Sequence, residues 1–310
     1  MHQVITIVAP VFAFMVMGWL AARSRFLDAT VEKGLSAFAL WVAVPALLFR
    51  LTSEAELPDI APWGYWLAFL ASGIASWIGA VILARLLGRP SSTGPAFAMG
   101  ATFGNTVMLG IPLCLNTFGE EAAVPIALLT AVHAPILWLA STVHYEWVSA
   151  EQGKSFAQVA KELALVLAKN PVVMAILAGT VWGRLDIGLN PIIGDIITQL
   201  GQAAIPAALF ALGMSLAAYS IKRELRAAPA LTLLKMGLMP AIVWVLVAHV
   251  FVLPPVWVGT AVIMAATPTG MNAYLFAAKY DVGVASVSST VVLSTAVSVV
   301  VIPAIILLLT

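Results

Sequence analysis

Ten apolar stretches follow one another along the chain, near residues 3–22, 32–51, 62–87, 94–116, 121–147, 168–185, 191–219, 228–252, 255–277 and 284–309. Each has about the 20 residues that a helix needs to cross a bilayer. No water reaches the backbone at that depth, so every segment must close its hydrogen bonds internally, which leaves helices as the architecture. Composition agrees. Of 310 residues, 62% are hydrophobic and only 9% charged, against about 25% charged in soluble domains. The fold class expected is therefore all-α integral membrane. Residues 3–22 have no basic region before them and no small-residue cleavage site after them, and read as a first spanning helix rather than a leader. The net charge of +1 carries no nucleic-acid footprint, and the lone Cys114 excludes an intrachain disulfide. No Walker loop, CxxC pair or HExxH is present, so neither an enzyme nor a nucleotide-driven pump is expected, and no cofactor or metal site.

Lysine and arginine sort by loop. Twelve sit in the loops after the first, third, fifth, seventh and ninth stretches, among them Arg23, Arg85, Lys154, Lys222 and Arg223. The other side holds two, Arg50 and Arg184, and Lys235 lies inside the eighth stretch. Basic loops stay cytoplasmic, which puts both termini on the outer side. Slipping one helix would destroy this asymmetry, so the count of ten is supported. The halves also match in order: VAVPALLF (42–49) with AAIPAALF (203–210), MGAT (99–102) with MAAT (264–267), and TAV (130–132) with TAV (295–297). Each half has five spans, an odd number, so the second inserts upside down. The expected organisation is a first five-helix repeat over 1–148, a cytoplasmic linker over 149–167 and a second, inverted repeat over 168–310.

Two stretches are interrupted. GATFGNTVMLGIP (100–112) and AATPTGMNAYLFA (265–277) carry Gly, Pro, Asn and Thr where a plain span would carry Leu and Val. Irregular backbone at membrane depth is tolerated only inside protein or against a watery cavity. Paired breaks in two halves point to a transporter's binding site. A broken helix leaves free N–H groups and carbonyls at its half-helix ends, and the N-terminal ends favour an anion. Asn105, Thr106, Thr102, Thr267, Thr269 and Asn272 add uncharged donors and acceptors. Together they can hold a carboxylate without a fixed basic residue. The alternative for any one such helix is a simple packing kink.

Ionisable residues inside spans are costly and often functional. No Asp or Glu lies deep in any stretch, which argues against a carboxylate relay for protons or sodium. His133 is the one titratable group near mid-membrane. It suits proton coupling or, equally, a neutral packing role. Lys235 lies about two turns in from the cytoplasmic side, by the rise of an α-helix. It either attracts an anion at the inner mouth or snorkels toward Arg223 and Arg226. Arg50, followed by Glu54, Glu56 and Asp59, reads as an outer-surface ion network.

GNTVMLGIPL (104–113) resembles the fourth-helix motif of the auxin efflux carrier family, which includes plant auxin exporters and bacterial carriers of malonate or malate. NPVVMAILAG (170–179), KMGLMP (235–240) and TPTGMNAYLFAAKY (267–280) resemble its sixth, eighth and ninth helices, so the resemblance spans the chain. It implies ten spans with helices 4 and 9 as crossing helices, in a fold related to bile-acid symporters and sodium/proton antiporters. It further implies a scaffold of helices 1, 2, 6 and 7, a transport domain of helices 3–5 and 8–10 moving as an elevator, and a homodimer formed through the scaffold. Asn105 matches the asparagine that binds the substrate carboxylate in plant carriers, and Pro268 matches the ninth-helix crossover proline. The fourth-helix crossover proline is Gly104 here, which implies a looser crossing. The acidic residue of the plant third helix has no counterpart in this chain.

The expected function is a carrier of a small organic anion in a bacterial inner membrane, by alternating access. Substrate-binding residues are Asn105, Thr106, Thr102, Gly104, Thr267, Pro268, Thr269 and Asn272, with His133 and Lys235 as candidates for coupling or anion attraction. A coupling ion, proton or sodium, stays open. A sodium-coupled symporter of the bile-acid type, an anion channel and a membrane sensor are the alternatives.

Overall fold

A computed structural model describes residues 2–55, 62–149, 156–217 and 226–309. Basic-loop residues Lys154, Lys222 and Arg223, and Glu56 and Asp59 of the outer network, lie outside the described residues. Within them the protein is helical, and the sole pairing of extended backbone is an isolated antiparallel bridge between Gly104 and Thr269.

Seven described helices are long and apolar enough to cross a membrane: Thr6–Arg23, Ala29–Glu54, Trp63–Leu86, Thr106–Val148, Pro191–Leu216, Ala227–Val250 and Val284–Leu309. Two shorter apolar helices, Pro171–Leu185 and Pro255–Ala266, accompany them. The ten stretches are thus not ten continuous helices. The fourth stops at Thr102 and resumes at Thr106, and the ninth stops at Ala266 and resumes at Met271. The sixth begins at Pro171 rather than 168, because Asn170 caps it by accepting from the amides of Val172 (3.0 Å) and Val173 (3.3 Å). The expected linker over 149–167 carries a helix of its own, Phe156–Lys169.

The chain divides into two compact units. The first comprises residues 1–61, 107–131 and 165–218. Its helices meet backbone to backbone through glycine. A Cβ at Gly213, in Pro191–Leu216, would overlap the Met15 carbonyl of His2–Arg23, and one at Gly18 would overlap the Phe210 carbonyl. Gly179 and Gly183 stand in the same way against Phe49 and Ser53. Small residues are what permit such close approach between membrane helices. Arg50 pairs with Glu54 at 3.4 Å and with Glu120 at 2.6 Å, so the ion network expected around Arg50 recruits Glu120 as well.

The second unit comprises residues 62–106, 132–164 and 219–310. Alanines line its helix contacts, as in the buried cluster of Ala80, Ala84, Phe97, Ala98, Ala101, Ala227 and Leu231. A second cluster packs Met99 and Phe103 against Ala273, Phe276 and Val287.

Three π-helical turns share a local cause. Ala39–Ala43, Thr106–Gly110 and Leu234–Leu238 are each followed, two residues on, by a proline: Pro45, Pro112 and Pro240. A proline ring clashes with the carbonyl four residues earlier, here that of Trp41, Met108 or Met236. Each of these is the central residue of its π turn. The wider turn moves that carbonyl aside and lets the helix continue, where Gly and Pro alone would suggest a plain kink.

The glycine contacts are testable. Gly213→Val should lower the melting temperature by about 5 °C or more, as overpacking in a tight contact does. Gly34→Ala, where nothing lies within 4 Å of the added Cβ, should leave melting unchanged or slightly raised. Equal melting of the two variants would remove the backbone-contact argument.

Candidate functional site

The two interruptions are built differently. Thr267 precedes Pro268, and a residue before proline is pushed out of the helical region. Thr267 is accordingly extended (φ −58°, ψ 143°), and the helix Pro255–Ala266 ends there. The fourth stretch has no such instruction. Phe103 is extended (φ −76°, ψ 103°) and the helix Thr93–Thr102 ends before it, with Gly104 where a proline would act. Tertiary partners hold this break open.

Those partners are chiefly the other break. The Asn105 amide donates to the Pro268 carbonyl at 2.8 Å, and the Gly270 amide donates to the Phe103 carbonyl at 2.8 Å. The Gly104 amide donates to His133 Nε2 at 3.2 Å, and the Thr269 amide donates to Ser294 Oγ at 3.0 Å. The Thr269 hydroxyl donates to the Gly100 carbonyl at 2.7 Å. Every amide named here is paired, as it must be where no water competes. Free N–H groups within the breaks, expected to meet an anion, are therefore committed to protein.

His133 is 4% exposed, with its ring edge-on to Phe69 and tilted against Phe103. Its Nε2 accepts from Gly104, so that nitrogen carries no proton. His133 thus holds the first break as Ser294 holds the second. Lys235 is 0% exposed and its ammonium donates to the Ala265 carbonyl, in the last turn of Pro255–Ala266. It lies in the π turn Leu234–Leu238. It stands at the junction of the breaks, and its full burial is not that of a side chain snorkelling to an interface.

Gly104 is the tightest glycine of the second unit. A Cβ there would overlap the Thr267 hydroxyl and stand 3.3 Å from Lys235 Cε and Nζ. A looser crossing at Gly104 is not what the packing gives; glycine is needed because the side chains of Thr267 and Lys235 converge on it. Gly104, Asn105, Thr267, Pro268, Thr269, His133 and Lys235 therefore form one assembly within the second unit. Thr102 and Thr267 direct their hydroxyls to their own helices, at Ala98 O (2.7 Å) and Met264 O (2.8 Å). Thr106 is buried, and Asn272 stands half-buried in the first turn of Met271–Tyr280. The Asn105 carboxamide is half-buried and bonds to none of the described residues. Ser294, Phe69 and Ala265 were not anticipated. Ser294 carried a weak signal, standing just before the matched TAV segment and one turn before the position that the repeat offset pairs with His133.

Gly104→Ala should cost about 5 °C or more in melting temperature, since the methyl group must displace Thr267 or Lys235. Melting within about 1 °C of the parent would show that the junction has slack.

Residues 3–306 match the family described as Membrane transport protein. A protein of Rhizobium meliloti (strain 1021) named "Putative malonate transporter" is 28% identical over 302 residues, covering 96% of this chain and 93% of the relative. Auxin efflux carrier component 8 of Arabidopsis thaliana is 23% identical over 350 residues, covering 94% and 93%. A multi-pass apolar chain with paired helix breaks is matched almost end to end. This chain belongs to the membrane transport protein family that contains the auxin efflux carriers, and it is a transporter rather than an enzyme.

Proposed function

We propose that the protein carries a small organic anion across the membrane, with a dicarboxylate of the malonate type as the first candidate. The observation that carries this reading is the free carboxamide of Asn105. It is displayed by a break whose own amides are tied down, and it stands directly before the helical turn that starts at Thr106. A carboxamide N–H and the positive end of a helix are complementary to a carboxylate. The chemistry named for the Rhizobium relative agrees with that donor set. Thr106 and Asn272 complete the polar surface, Pro268, Thr269 and Gly104 fix its geometry, and His133 and Lys235 are the ionisable groups beside it.

In this reading the ten stretches are ten crossings in two inverted repeats, both termini face the periplasm, and the site travels in an elevator-type alternating-access cycle of a homodimer in the inner membrane. Grouping of both breaks, His133 and Lys235 in one compact unit supports a site carried as one piece.

Reconstitution tests the proposal. Proteoliposomes should take up labelled malonate saturably and show counterflow. Asn105→Ala should weaken apparent affinity by about 10-fold or more, the usual loss when a hydrogen bond to a charged group is removed, while its melting temperature stays near the parent value. Unchanged affinity in that variant would overturn the site assignment. Uptake without saturation or counterflow would mark a pore, and no flux of malonate, malate or an indole acid would sink the carrier reading.

A further inference from the structure

We infer that the ammonium of Lys235 is a built-in cation at the junction of the two breaks, so that the carrier needs no bound sodium there to balance its anion. The inference deepens the anion-carrier reading, on which it rests for the nature of the cargo. Its physical basis is local to the second unit.

Lys235 is fully buried, and its ammonium has three donors. One goes to the Ala265 carbonyl. Among the described residues no carboxylate lies within 4 Å and no second acceptor is bonded. A buried charge without a partner is costly, so something here must match it. Two helices end at this junction, Thr93–Thr102 and Pro255–Ala266. The carboxyl end of a helix carries roughly half a negative charge, so the two together amount to about one. Lys235 supplies one positive charge.

Helix-end carbonyls converging in a dry site are also what sodium-coupled carriers use to ligate their ion. Here the position is filled by a group that cannot dissociate. Gly104 makes room for it, since a Cβ there would stand 3.3 Å from Nζ. The other titratable group at the junction, His133, reaches Gly104 through Nε2 as an acceptor and adds no competing charge on that nitrogen. The two remaining donors of Lys235 are left for the anion. A dissociable cation would have to be captured and released in each cycle, whereas a tethered one stays with the site.

The test needs no substrate. Purified full-length protein, Lys235→Ala and Lys235→Met are melted in choline, sodium and methylammonium chloride at equal ionic strength. The parent should melt within about 1 °C in all three salts. Lys235→Ala should melt about 5 °C or more lower in choline, as expected for loss of a charged hydrogen bond, and methylammonium should restore at least half of that loss by entering the vacated space. Lys235→Met fills the space without charge and should stay low in all three. Sodium raising the parent more than about 3 °C above choline would overturn the inference, and so would failure of methylammonium to rescue Lys235→Ala. If the alanine variant does not fold, the parent alone decides: equal melting in sodium and choline supports the tethered cation, and stabilisation by sodium refutes it. Malonate is absent from these assays, so failure of the malonate reading is read separately.

Discussion

The pairing of two interrupted helices through Asn105–Pro268 and Gly270–Phe103 is the constraint on which the second unit depends. A membrane interior offers no water to an exposed amide or carbonyl. Each break alone would leave several such groups unsatisfied, at about several kcal/mol each. Brought together, the breaks satisfy one another in antiparallel register, and the leftover amides go to His133 and Ser294. The irregular backbone that a carrier needs is thus stable only as a pair, which ties the geometry of one half of the chain to that of the other.

Close approach follows from that pairing. Backbones in direct contact cannot tolerate side chains between them, and Gly104 and Gly270 stand where they meet. The same device recurs in the first unit, where Gly18, Gly213, Gly179 and Gly183 let helices touch along their carbonyls. In lipid, helix association has no hydrophobic drive of the aqueous kind and relies on packing. Glycine and alanine at these contacts therefore act as structural residues. Charge is arranged with equal economy: Lys235 donates to the Ala265 carbonyl in the last turn of its helix, whereas Arg50, in the first unit, has Glu54 and Glu120.

Several parts of this were legible in the residues. The apolar stretches predict helices, and Pro268 predicts the end of Pro255–Ala266 because a residue before proline leaves the helical region. The recurrence of Asn, Thr and Gly at matching places predicts a functional break. Other parts were not. Nothing local stops a helix after Thr102, and what holds that break is His133, 29 residues away, and Pro268 in the other half of the chain. Lys235 looked like a residue near a helix end because its depth depends on which neighbours surround it, and its sequence context is merely apolar. The π turns before Pro45, Pro112 and Pro240 could have been suspected from the prolines, but choosing between a kink and a widened turn depends on packing.

The sequence by itself determined a helical membrane protein with two polar interruptions, because apolar length and proline act over a few residues and need no partner. Only the tertiary structure decided that the interruptions bond to each other, that Gly104 is the point of closest approach, and that a lysine ammonium rather than a solvent-facing charge stands beside it. These are properties of groups far apart in the chain, and hydrogen bonds and burial at such separations have no local signature.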